Sequence, residues 1–155
     1  MSVNAVTHLN FGGNARQALG FYHSVFGGNL SIMTYADFGA PKDTPGADQV
    51  VWGQVAADSG FRVMAYDVPM AEQPPQLSEP STRRENGMTI TRDSFFISLR
   101  GADVDEIYRL WVKLSVGAVI VEPIAQSQWS PLFGMLTDRF GTTWVVDVVN
   151  QYNAS

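Results

Sequence analysis

The chain has no cysteine, which excludes a disulfide framework, a thiolate nucleophile and any thiolate-ligated metal. Charge is scarce and leans acidic: 10 Lys and Arg stand against 15 Asp and Glu, a formal net charge of −5. No basic stripe exists to meet a row of phosphates, so nucleic acid is not an expected partner. No apolar run approaches the roughly eighteen residues of a membrane-spanning helix. The opening MSVNAVTHLNF carries neither a basic segment nor a long apolar one, so neither membrane insertion nor a secretory leader is expected and the cytoplasm is the expected location. A glycine-rich phosphate loop and a G-x-S-x-G elbow are also missing, which removes the common nucleotide and serine-hydrolase chemistries.

What is there fits one globular domain: 155 residues, 45% hydrophobic. Ala5 to Phe11 alternates in the manner of a strand. Gly12-Gly13 turns the chain and Asn14 is placed to cap a helix, its side-chain oxygen accepting a free amide of the first turn. Ala18, Leu19, Phe21, Tyr22, Val25 and Phe26 fall at helical spacing, and Gly27-Gly28 ends the run. Strands are expected at Leu30 to Thr34, at Val50 to Ala56 and at Phe61 to Asp67, the last two joined by an Asp58-Ser59-Gly60 turn. From Val68 to Asp93 four prolines and weak periodicity read as a linker.

The plan then repeats. Ser94 to Arg100 is a strand, Asp103 with Glu106 three residues on makes a capping box, and Ile107, Leu110, Trp111 and Leu114 form a helix face that Gly117 stops. Val119 to Val121 continues as a strand limited by Pro123, and Leu132–Asp138 and Trp144–Val149 form the last hairpin. A shift of 89 residues sets Asn14 on Asp103, Tyr22 on Trp111 and Gly28 on Gly117; in the hairpins Gly60 matches Gly141. The reading is an α+β fold of two tandem βαβββ modules, 1–67 and 94–155, joined by 68–93 as one structural domain built by duplication.

Two runs, LNFGGNARQALGFYHSVFGG and LFGMLTDRFGTTWVVDV, resemble the PhnB-like branch of the vicinal oxygen chelate superfamily, which includes glyoxalase I, extradiol dioxygenases and bleomycin-binding proteins. The resemblance covers nearly the whole chain. It implies that the modules form a curved mixed sheet, a glyoxalase/bleomycin-resistance type cup holding a small ligand or a metal, and that the protein is a homodimer. Metal-dependent members place ligands on the first and last strand of each module. Carried onto this chain, that pattern keeps His8 and, two residues beyond Val145, Asp147. The repeat partner of His8 is Ile97, no ligand, and a third donor is open between Asp67, Glu122 and a partner chain.

Two side chains fall short of the three protein ligands usual for a catalytic metal. The expectation is therefore a small-molecule binder with no confident cofactor, its ligand held by His8, Trp52, Tyr66, Phe96, Trp129 and Trp144. The alternative is one divalent metal ion, held by His8 and Asp147, serving a lyase, isomerase or dioxygenase; a catalytically idle dimer is the third reading. His23 is expected to be a surface residue. Which aromatic rings face the cup depends on strand register, where an error of one residue reverses every side chain.

Overall fold

A computed structural model describes residues 2–71 and 79–150. Among them are two helices and ten strands. The chain divides into two compact units, Met1–Gln76 and Leu77–Ser155, and each is a βαβββ module with a four-stranded sheet.

In the first unit the elements are β1 (Thr7–Phe11), α1 (Ala15–Phe26), β2 (Asn29–Thr34), β3 (Val50–Ala56) and β4 (Arg62–Asp67). The sheet order is β1-β4-β3-β2, with β1 parallel to β4 and the other pairs antiparallel. The parallel pair is possible because α1 and two further strands make the crossover. Ala18, Leu19, Tyr22 and Val25 are the inner face of α1. They pack where Leu9, Val55, Val63 and Ala65 are buried, the residues of each strand that share one side by alternation. Gly53 belongs to this side: a Cβ there would collide with the Leu19 side chain. One side of the sheet is thus closed by the helix. The other side presents His8, Asn10, Trp52, Gln54, Met64 and Tyr66, none of them buried.

Asn14 precedes α1 as expected but makes no side-chain cap. The carboxylate of Asp67, at the end of β4, does that work. Its Oδ1 accepts from the backbone N–H of Gly13 (2.8 Å) and of Ala15 (3.0 Å), and its Oδ2 from Val50 N–H (2.9 Å). A charged acceptor at a helix N-terminus satisfies orphan amides and meets the positive end of the helix dipole. Asp67 is 1% exposed, and these bonds are what make its burial tolerable.

The second unit contains β5 (Thr82–Glu85), β6 (Met88–Thr91), β7 (Ile97–Gly101), α2 (Val104–Leu114), β8 (Val119–Ala125), β9 (Phe133–Thr137) and β10 (Thr143–Val148). Its sheet order, β7-β10-β9-β8, repeats the first. Asp103 caps α2 from within, its Oδ1 accepting from Glu106 N–H at 2.8 Å. Asp103→Ala is expected to lower unfolding free energy by about 1 kcal/mol, read from the shift of the urea midpoint; an unchanged midpoint would show that the cap contributes nothing. Strand β8 runs on through Pro123 rather than stopping there. It is an edge strand, and its register slips on both sides of Glu122; an edge with bulges is where a sheet accepts a residue lacking an N–H.

The larger departure lies in the stretch read as a linker. Val68 to Asp93 contains the β5–β6 hairpin. Its turn is Asn86-Gly87, both with positive φ (50° and 76°), the dipeptide that favours a two-residue hairpin turn. The prolines around it masked a local signal that was present. Residues 72–78 of that stretch lie outside the described residues.

The repeat also needs one correction. Gly134 occupies the place of Gly53, since a Cβ there would meet the Trp111 ring. Gly134 pairs with Val146 as Gly53 pairs with Ala65, so the hairpins correspond by 81 residues. Leu9 then corresponds to Leu99, because each is the parallel partner of that residue. The first strands are therefore related by 90 residues, although the helices keep 89. The turn has two residues between Phe11 and Asn14 but one between Gly101 and Asp103. The counterpart of His8 is Ser98, not Ile97.

Candidate functional site

The open side of the first sheet is built by alternation alone. His8 and Asn10 stand on β1 beside Met64 and Tyr66 on β4, in register. Gln54 pairs with Met64, and Trp52 pairs with Met33 on β2. The His8 and Tyr66 rings meet edge to face, centroids 5.3 Å apart at 67°. His8 Nδ1 lies 3.2 Å from Asn10 Oδ1. Since an amide oxygen only accepts, Nδ1 is the donor of this bond. The face therefore combines flat apolar area with an imidazole and two side-chain amides. Such a surface can stack a planar molecule and orient it by hydrogen bonds.

The second unit treats its corresponding face differently. Ser98, Arg100, Val145 and Asp147 hold the places of His8, Asn10, Met64 and Tyr66. Asp147 is clasped by Arg100: Nε donates to Oδ1 at 3.0 Å and to Oδ2 at 3.2 Å, and Nη2 donates to Oδ2 at 3.1 Å. The carboxylate raises the Arg100 guanidinium above its ordinary pKa through these hydrogen bonds first and their charge second. Two-oxygen engagement by a guanidinium is the strong form of this pair, and it occupies the oxygens a metal would need. The further donors left open by sequence are engaged as well. Asp67 caps α1, and Glu122 Oε2 accepts from Arg84 Nε at 3.3 Å. Among the described residues no three His, Asp or Glu side chains form a group able to hold a metal ion. The donor set does not fit the divalent centre of the metal-dependent relatives.

The aromatic residues expected to line a ligand site divide. Trp52 and Tyr66 share the open face with His8. Trp144 does not face a ligand surface: it pairs with Leu136, on the helix side with Gly134 and Val146, is 0% exposed and donates from Nε1 to Asp138 Oδ2 at 2.9 Å. It is a core residue because its register position is that of Val63. Phe96 precedes β7 and is half-buried. Trp129 sits in the β8–β9 loop, 55% exposed, edge-on to Phe133 at 5.2 Å. Phe96, Trp129 and Trp144 belong to the second unit. His23 lies on α1, where its Nε2 is 3.0 Å from Gly28 O.

The first unit also has a shallow recess of about 150 Å³, between the β2–β3 loop and the chain after β4, touched by Tyr35, Ala47, Gln49, Pro69 and Met70. Sequence reasoning singled out none of these. Tyr35 donates its hydroxyl to Asp67 O at 2.6 Å, and burial, then Tyr66 and Asp67, push its pKa up. The recess is small beside the roughly 300 Å³ at which ligand sites begin, and its polar group is already used.

Comparison with known proteins follows the fold. The family model of the Glyoxalase/Bleomycin resistance protein/Dioxygenase superfamily matches residues 6–146. Protein YjdN of Escherichia coli (strain K12) is 26% identical over 151 residues, 93% of this chain and 94% of that one. The crystal structure of protein PA1353 from Pseudomonas aeruginosa is 30% identical with a TM-score of 0.73, covering 96% of this chain and 98% of the other. A PhnB protein from Bacillus cereus, which carries a provisional 3-demethylubiquinone-9 3-methyltransferase name, is 21% identical with a TM-score of 0.68, over 95% of this chain and 100% of its own. No helix among the described residues is long and apolar enough to cross a membrane.

Proposed function

Because the chain belongs to the glyoxalase/bleomycin resistance/dioxygenase superfamily, we propose that it binds a small, planar and largely apolar organic molecule on the open face of the first unit's sheet, with no resident metal. One observation carries this reading: His8, Trp52 and Tyr66 converge on one uncovered sheet face. Trp52 supplies stacking area, Tyr66 a second ring and a phenol, and His8 an imidazole that can hydrogen-bond a ligand. The engagement of Asp67, Glu122 and Asp147 supports the metal-free form of the reading.

The test is a fluorescence titration of the full chain with planar aromatic compounds, beginning with 8-anilinonaphthalene-1-sulfonate. Saturable binding at one site is expected, weakened by about tenfold or more in Trp52→Ala, since losing a central aromatic anchor costs about 2 kcal/mol. Equal affinity in Trp52→Ala would overturn the assignment of the face. One divalent ion per chain that survives dialysis and is lost in His8→Ala would overturn the metal-free part.

A further inference from the structure

In the second unit part of the sheet side away from α2 is covered, over β9 and the start of β10. Met135 lies on that side, since its neighbours Gly134 and Leu136 face the helix, yet it is 2% exposed. Thr143, also on that side, is 3% exposed. Helix α2 cannot bury them. The β5–β6 hairpin reaches both. Thr89 Oγ1 is 3.8 Å from Met135 Sδ. Just after β6, Asp93 Oδ2 accepts the Thr143 hydroxyl at 3.0 Å, together with those of Ser81 (2.9 Å) and Thr82 (2.9 Å). Arg84 spans the hairpin and the sheet, donating to Thr89 Oγ1 at 2.9 Å and to Glu122 Oε2 at 3.3 Å. Asp93 ties the base of the hairpin to β10, while Arg84 ties its body to β8.

We propose that this hairpin is a built-in occupant of the second sheet face, so that the chain offers one accessible small-molecule face, on the first unit, and keeps a second one latent. The uncovered face would present Met135, Val145 and Phe133 beside the Arg100–Asp147 pair, a surface suited to an apolar ligand. Among the described residues the first face has no such hairpin over it: Gln54, the counterpart of Met135, is half-buried, and Arg62, the counterpart of Thr143, is exposed. Duplication supplied two faces, and the segment between the modules fills one of them. The inference rests on the reading of sheet faces as ligand surfaces, and the experiment separates the two.

Methionine methyl groups report both faces. Met33 and Met64 mark the first, Met135 the second and Met88 the hairpin. The full chain, carrying carbon-13 in its methionine methyls, is titrated with 8-anilinonaphthalene-1-sulfonate and separately with a soluble nitroxide. In the native protein the Met33 and Met64 signals are expected to move while Met135 stays in place and is shielded from the nitroxide. In Asp93→Ala/Thr143→Val the acceptor and one of its three hydroxyl partners are removed, and the latch with them. Hairpin amides are expected to exchange about tenfold faster, Met135 to broaden with the nitroxide, and a second equivalent of probe to bind.

Arg84→Ala, a milder change that leaves Asp93 and its hydroxyls intact, is expected to move the same signals less. It serves as the test should the double variant fail to fold. Movement of Met135 in the native protein at the same probe concentration would overturn the proposal. So would a hairpin that exchanges faster while Met135 remains shielded, or unchanged exchange in every folded variant. If Met135 responds in the unlatched protein while Met33 and Met64 never do, the first-face reading fails and the latch stands.

Discussion

Replacing Asp67 by alanine is expected to destabilise the protein by about 4 kcal/mol, which for many proteins of this size is half the total. The substitution leaves the amides of Gly13, Ala15 and Val50 without their acceptor. A buried donor left unpaired costs about 1–3 kcal/mol, and water can enter to relieve only part of this at a position 1% exposed. The helix start, the entry to β3 and the end of β4 loosen together, since one side chain joins all three. Asp67→Asn separates the roles. Its single oxygen can still serve the helix amides, but its NH2 then points at the Val50 N–H, donor against donor, so about half the loss is expected. Urea unfolding of the three proteins is the measurement. An alanine variant within 1 kcal/mol of the parent would mean that the three bonds are replaced by water at no cost.

Gly28→Ala is the second large effect, expected at about 3 kcal/mol or more. Gly28 has φ 83°, and a Cβ there would strike the carbonyl oxygen and carbon of Ala56 and the Cα of Ala57. These are backbone atoms of the neighbouring strand and the turn beyond it, so no rotamer change relieves the clash. The helix exit would have to move away from β3. Gly60→Ala is the control: φ is 96°, but nothing lies within 4 Å of the added methyl, so only the backbone preference is lost, about 1 kcal/mol. Thermal unfolding should show melting temperatures falling by roughly 9 °C and 3 °C respectively. Similar losses in the two would place the whole effect in φ and none in crowding.

The elements of this fold were legible where their causes are local. Helix spacing, the Asp103 cap, the glycine stops and the strand alternation each depend on residues a few positions apart, and each corresponds to an observed element. Within each first-face strand the alternation was legible for the same reason, but grouping His8 with Tyr66 needed the β1–β4 register. Trp144 was not, because its side is fixed by pairing with Leu136 and by a glycine on the next strand. Ser98 as the counterpart of His8 was hidden by one residue removed from a turn, which shifts the strand comparison but leaves the helix comparison intact. The Asp67 cap left no local trace, as it acts across 52 positions in sequence. The hairpin had a clear signal in Asn86-Gly87, outweighed by the prolines nearby.

The two helix caps also set when each helix can become stable. In the second unit Asp103 reaches an amide three residues away, so this cap needs nothing beyond the first turn of α2. In the first unit the cap is Asp67, and the chain between it and α1 must close before the bonds exist. Closing a loop of that length carries an entropic cost, and contacts of long sequence separation slow folding. The place of Asp67 is taken in the second unit by Val148, and that of Val50 by Pro131, which has no N–H to satisfy; the long-range clasp has no counterpart there. During synthesis the earlier-made module must therefore wait for its fourth strand to emerge. The α2 cap waits for no later strand, so the order in which the modules leave the ribosome need not be the order in which their helices are capped.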